Sequence, residues 1–196
     1  CEHPCEARCR RNMIDDAINI RGLKRMAADF AGKVEPPKCQ PSTGKKVAIV
    51  GGGPGGLSAA YYLQLMGHQV VVYEMLPELG GMLRYGIPNY RLPKDRLDDD
   101  INAILETGVQ VKHGLRIGID VTIDALREQY DAVLITIGAS SDKKLGVEGE
   151  DADGVISAVQ FLRDVGKGSA IDLKGQEVCV VGGGNVSMDA VRTAVR

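Results

Sequence analysis

From Lys45 onward the chain alternates short unbroken apolar runs with longer segments in which apolar residues return every three or four positions. KKVAIV, QVVVYE and DAVLITIGA are runs of the first kind, and each predicts a strand buried on both faces. PGGLSAAYYLQLMG, RLDDDINAILETG and SAVQFLRDVGKG are of the second kind and predict helices. Pro54 stands at the start of the first helix and Gly67 at its end. In the second, Leu97, Ile101, Ile104 and Leu105 share a face, and Gly108 closes it. VQVKH reads as a short strand and IDALREQY as a short helix. EVCVVGGGNVSMDAVRTAVR repeats the opening theme of strand, glycine turn and helix. Strands alternating with helices predict an α/β fold with a parallel sheet covered on both faces.

The first forty residues read differently. Residues 1–11 look irregular, and Asp15 and Asp16 stand where helix caps stand. Leu23, Met26, Ala27 and Phe30 follow at helical spacing, with Gly32 as the stop. VEPPKCQPSTG, with three prolines and a glycine, reads as a linker. The expected divisions are 1–38, 39–172 and 173–196. The first residue is Cys1, and the last helix breaks off in mid-pattern, so the chain is expected to be part of a longer polypeptide.

Composition narrows the function. The 24 basic and 26 acidic residues nearly cancel, with no trace of a nucleic-acid surface or an acidic tail. There is no Trp and there are only two Phe, which argues further against a base-stacking surface. No apolar run is long enough to span a membrane, and no signal peptide is visible. Five cysteines, an odd number, without a secretory signal indicate a reducing compartment, and the cytoplasm is expected.

Two glycine clusters carry the most specific chemistry. In KKVAIVGGGPGGLSAA, Gly51, Gly53 and Gly56 fit G-x-G-x-x-G. The cluster follows a strand and opens a helix, and Glu74 ends the next strand about twenty residues on, which is the context a dinucleotide fingerprint needs. Gly51 permits the tight turn, Gly53 leaves room for a pyrophosphate, and Gly56 lets helix and strand approach. The helix N-terminus offers N–H groups to phosphate oxygens, and Glu74 can accept from a ribose. In EVCVVGGGNVSMDA, Gly182, Gly184 and Ser187 fit the same pattern, with a small residue in the third place as at NADP-type sites. A ligand-free glycine turn is the alternative at each. Two fingerprints suggest two nucleotides, FAD in the first and a nicotinamide nucleotide in the second.

The other candidates read as structural. Asp98, Asp99 and Asp100 form a solvated face on an amphipathic helix. His68 and His113 have no metal-like spacing, and Tyr61 and Tyr62 read as helix packing. Cys179 reads as core within an apolar strand, and Cys39 sits alone in the linker. Cys1, Cys5 and Cys9 are spaced C-x3-C-x3-C, unlike the C-x2-C pairs usual for zinc, and they are too few for two iron–sulfur clusters.

Six motifs in order resemble the glutamate synthase small-subunit family of NAD(P)H-dependent FAD and iron–sulfur oxidoreductases: CEHPCEARC, INIRGLKRMAADF, GKKVAIVGGGPGGLSAA, ELGGMLRYGIPNYRLPK, ITIGAS and VVGGGNVSMDA. That family includes the amino-terminal part of dihydropyrimidine dehydrogenase and the large subunit of a bifurcating ferredoxin:NADP oxidoreductase. The resemblance implies a small α-helical iron–sulfur segment over 1–38, a Rossmann-like FAD-binding domain over 39–172 and the start of a second, NAD(P)-binding Rossmann domain over 173–196. It implies that Gly51, Gly53, Pro54, Gly55 and Gly56 hold the FAD pyrophosphate, that Glu74 takes the ribose, and that Met75 also contacts the cofactor. Leu79, Gly80, Gly81 and Met82 would run along the flavin side, with Arg91 and Gly138 also facing the cofactor. Gly182, Gly183, Gly184, Asn185 and Val186 would meet the phosphates of NADP or NAD.

The resemblance also implies that Cys1 and Cys5 serve one 4Fe–4S cluster and Cys9 another, together with an upstream cysteine group. Lys24 stands where some relatives carry a Glu or Gln ligand. The implied activity is electron relay between NAD(P)H and iron–sulfur clusters of other redox domains or subunits, through FAD. A flavin disulfide reductase would want a C-x-x-C pair, which is absent, and a monooxygenase has no use for the leading cysteines. A nucleotide-binding scaffold subunit without turnover is the remaining alternative.

Overall fold

The computed structural model describes residues 2–169 and 171–196. The chain forms two compact units, Cys1–Glu35 and Pro36–Arg196.

The smaller unit is helical. Helix α1 spans Pro4–Ala7, a 3-10 turn spans Arg10–Met13, and α2 spans Ile20–Phe30. The leading residues are thus more ordered than their composition suggests. Helix α2 starts later than the aspartates predict. Asp15 is engaged by the Arg11 guanidinium at 2.5 Å and cannot cap. Asn19 caps instead, its side chain accepting from the Gly22 N–H at 2.9 Å. Gly32, with φ +68°, follows the helix as expected. Leu23, Met26 and Phe30 lie on the surface of this unit.

The larger unit is built on four parallel strands: β1 (Lys46–Val50), β2 (Gln69–Glu74), β3 (Gln110–His113) and β4 (Ala132–Ile135). Their spatial order is β3-β2-β1-β4. This is the doubly wound arrangement that alternating strands and helices predict. Helices α3 (Pro54–Leu65), α4 (Met82–Tyr85), α5 (Lys94–Leu105), α6 (Ile123–Gln129), α7 (Ala158–Gly166) and α8 (Asn185–Val195) complete it. Side chains alternate between the two faces of the sheet. Val47, Ile49, Val70 and Val72 pack with Leu57 and Ala60 of α3 and with Leu97 and Ile101 of α5. Ala48, Val50, Val71 and Tyr73 pack with Leu126 of α6 on the other face. The linker's second half is tied down, because Gln40 N–H donates to Leu65 O and Thr43 N–H to Gly67 O.

Three expectations need correction. The run containing β4 is not buried, since Leu134, Ile135 and Ile137 are exposed. Among the described strands β4 pairs with β1 alone, so it has one neighbour instead of two. The run over 177–181 forms no strand, because no described strand supplies its ladder. Cys179 within it is exposed rather than core. Helix α4, a single turn, carries no periodic signal in the sequence. No helix among the described residues is long and apolar enough to cross a membrane.

Candidate nucleotide-binding site

The first glycine turn joins β1 to α3 at the carboxyl ends of the strands. Gly51 has φ +110°, and a Cβ there would meet the Thr136 carbonyl oxygen at 2.5 Å. A Cβ on Gly56 would lie 2.0 Å from Gly51 O and 2.7 Å from Thr136 Oγ1, so only glycine lets α3 come this close. Gly53 differs, for its nearest neighbour would be Gly81 Cα at 3.8 Å. Its bareness therefore serves the space in front of it. Gly53 is also the cap of α3 and supplies no side-chain bond, so the first-turn N–H groups face outward uncapped.

That space is a cavity of about 430 Å³. Gly51, Gly53, Pro54, Gly55, Glu74, Met75, Gly81, Met82 and Gly138 all line it. Nine sequence-predicted residues from four separate motifs are thus brought to one place. Gly56 lies behind the turn, and Leu79 is buried against it. Gly80 holds the segment in place, its N–H donating to Gly52 O at 2.8 Å. The buried Glu74 carboxylate accepts from Gly52 N–H at 2.7 Å and Leu76 N–H at 2.8 Å. These bonds fix its orientation and leave a lone pair on each oxygen.

Sequence reasoning missed several wall residues. Thr136 donates from Oγ1 toward Val50 O and Gly51 O at 3.1 and 3.0 Å, pinning β4 to the turn. Its place as the first residue of TIGA, two before Gly138, was the available signal. Tyr85 lines the cavity, and burial pushes its hydroxyl pKa up. Arg163 of α7 reaches the wall and donates to Ser140 O, with nothing in sequence to mark it. The α4 wall is held by two cations. Arg84 is buried and donates from Nε to Leu79 O at 2.5 Å, with Glu78 and Asp98 as carboxylate partners. Lys94 donates to Leu83 O at 2.9 Å and Ile87 O at 2.6 Å, and burial, aided by the Arg84 charge, lowers its pKa. Asp98 thus belongs partly to the wall and not simply to a solvated face.

The second glycine turn opens α8. Gly182 has φ +128°, and added Cβ atoms at Gly183 and Gly184 would meet nothing within 4 Å. Gly184 caps α8 without a side-chain bond. Asn185 and Val186 begin the helix. None of these residues lines the first cavity. Arg91 is not on that wall either; its Nη1 pairs with Asp189 Oδ2 at 2.6 Å. A wider hollow of about 970 Å³ lies among the Pro88–Tyr90 loop, α7 and α8, and carries neither glycine turn.

In the smaller unit, Cys5 is exposed and Cys9 half-buried. Backbone N–H groups, that of Ile18 foremost, lower the Cys9 pKa and so favour a thiolate. Cys1 lies outside the described residues. The described thiols of this unit supply at most two ligands, and no group of three metal-binding side chains occurs among the described residues. A four-thiolate cluster would need donors from elsewhere. The glycine cavity, by contrast, fits a dinucleotide: an open glycine face, free helix N–H groups and an oriented carboxylate.

Residues 45–196 match the model of the family described as pyridine nucleotide-disulphide oxidoreductase. The beta subunit of an NADP(+)-dependent formate dehydrogenase from Moorella thermoacetica is 44% identical over 222 residues, covering 100% of this chain and 31% of that protein. The small chain of an NADPH glutamate synthase from Bacillus subtilis is 38% identical over 208 residues, covering 100% of this chain and 42% of that one. Mycobacterium tuberculosis FprA in complex with NADPH superposes with a TM-score of 0.67 at 30% identity, over 78% of this chain and 36% of its own. The chain thus spans less than half the length of these relatives. A nucleotide fingerprint set in a parallel sheet, matched over most of its length, places the chain in the pyridine nucleotide-disulphide oxidoreductase family.

Proposed function

We propose that this chain is the flavin-binding part of an oxidoreductase that passes electrons between NAD(P)H and iron–sulfur clusters of another domain or subunit. The observation that carries the reading is the glycine cavity, where residues from four motifs meet around uncapped helix N–H groups. Gly51, Gly53, Pro54 and Gly55 would hold the FAD pyrophosphate, and Glu74 would accept from the ribose. Met75, Gly81, Met82 and Gly138 would bound the remainder, with Leu79, Gly80 and Gly56 supporting them. Bound there, FAD supplies hydride acceptance and single-electron release. The residues of the chain orient the nucleotide and exclude water; no side-chain acid or base is required for hydride transfer.

Gly182, Gly183, Gly184, Asn185 and Val186 would hold the nicotinamide nucleotide, so residues 173–196 open a second nucleotide domain after an FAD domain over 39–172. NADP is favoured over NAD because both curated relatives described above carry NADP or NADPH in their names. Residues 1–38 would form an iron–sulfur segment in which Cys1, Cys5 and Cys9 contribute ligands. Those two relatives are named as a subunit or chain of a larger enzyme, which supports partner subunits. A cytoplasmic location agrees with free thiols at Cys5, Cys9, Cys39 and Cys179.

Titrating the protein with FAD and following flavin fluorescence tests the reading. Gly53→Val adds bulk to the open face without backbone strain, since φ is −79°. One equivalent of FAD bound by the parent and lost in Gly53→Val, with circular dichroism unchanged, is the expected result. A variant that binds FAD as tightly as the parent would remove the cavity from consideration.

A further inference from the structure

The NYRLP segment and helix α8 meet around an ion pair that is buried on its acidic side. Asp189 lies one turn inside α8, and its side chain is 8% exposed. An ionised carboxylate so buried needs a compensating partner. Arg91 supplies it, with Nη1 at 2.6 Å from Oδ2. The neighbouring Tyr90 hydroxyl points at the Asp189 carbonyl and carboxylate oxygens, at 3.4 Å each. The guanidinium groups of Arg192 and Arg196 lie over the Tyr90 ring at 4.7 and 4.2 Å. Asp189, Arg192 and Arg196 follow helical spacing, so a single face of α8 grips this loop.

The two ends of this contact lead to different glycine turns. Helix α8 begins directly at the second turn, with Gly184 as its cap. The Tyr90–Arg91 loop continues from the α4 wall, where Met82 and Tyr85 line the first cavity. Lys94, three residues past Arg91, ties the same wall through Leu83 O and Ile87 O. The pair thus joins the helix that starts at the second turn to the segment that walls the first cavity.

We propose that Arg91 and Asp189 are a positioning pair that couples the two nucleotide sites, so that each site's occupancy alters the other's affinity. This rests on the assignment of FAD and NADP to the two glycine turns. Coupling of this kind typically amounts to 5–150-fold in affinity. An effect of about tenfold is expected for one ion pair of this burial.

The test is calorimetric binding of NADP+ to the intact protein, FAD-saturated and FAD-depleted. The parent is expected to bind NADP+ about tenfold differently in the two states. Asp189→Asn removes the charge and keeps the shape, and should erase the difference while both nucleotides still bind. Arg91→Gln should do the same, the double variant should add nothing further, and Arg91→Lys should restore part of the difference. If Asp189→Asn does not fold, the partly exposed Arg91 carries the test through its Gln and Lys variants. A parent with equal NADP+ affinity in both states, or variants that keep the full difference, would overturn the coupling alone. A parent that binds neither nucleotide would overturn the site assignment and the coupling with it.

Discussion

At the first glycine turn Gly51 has φ +110°, and the cap Gly53 has φ −79° and ψ −178°. At the second, Gly182 has φ +128°, and the cap Gly184 has φ −83° and ψ 177°. The backbones are close to interchangeable, yet their surroundings are not. The first turn follows a strand hydrogen-bonded on both sides, and is backed by Thr136 and the Glu74 carboxylate. The second follows a run that forms no strand, with Val181 largely exposed. Turn geometry is thus a local property of the glycines and the helix start. The rigidity behind it comes from distant segments of chain.

The strongest way to sharpen this contrast is at the third fingerprint position. Gly56→Ala places a methyl 2.0 Å from Gly51 O, where backbone cannot yield. It should cost about 3 kcal/mol or more, read as a large drop in thermal midpoint. The matching residue of the second turn is already Ser187, and Ser187→Ala should change stability by less than about 1 kcal/mol. Equal effects at the two positions would dissolve the distinction.

A smaller effect is expected at Glu74. Replacing its carboxylate with an amide, Glu74→Gln, turns one oxygen that accepts a buried N–H into a donor. A loss of about 1–3 kcal/mol follows, measured by urea denaturation. FAD retention should fall as well. A variant unchanged in both would mean the carboxylate does not brace the turn.

The smallest effect is alkaline and confined to the sheet of the first turn. Tyr73 and Tyr130 share a hydroxyl hydrogen bond at 2.9 Å. Burial, reinforced by that bond, pushes the Tyr130 pKa up to about 12. The folded state thus holds its proton after the unfolded chain has lost it, near pH 10. Stability from this group is fully present below about pH 10 and declines as pH rises toward about 12. Tyr130→Phe should flatten that slope in urea midpoints, and a slope unchanged in the variant would assign it to other groups.

Much of this was legible in the chain because it is local. Apolar runs place β1 and β2, the short VQVKH stretch places β3, and the glycines, Pro54 and Glu74 mark the first turn. What the sequence hides depends on partners far away in the chain. The exposure of β4 reflects its place at the edge of the described sheet, which no pattern within DAVLITIGA records. Helix α2 moved its start because Arg11 claims Asp15, a competition invisible to cap rules. Arg84, Lys94, Thr136 and Arg163 became visible only when folding brought them to the cavity wall or behind it. The cap at Asn19 was readable in principle, lying three residues before Gly22, whose N–H it accepts.

The first glycine turn is proposed to hold a flavin that NADPH can reduce. The most direct measurement is the visible spectrum of the intact protein under anaerobic conditions, with iron and sulfide analysis, before and after NADPH or NADH. Flavin bands that bleach on adding NADPH are expected, with iron and sulfide present in the full-length polypeptide. Protein purified without flavin and unable to take it up, or flavin that neither nucleotide bleaches, would contradict it.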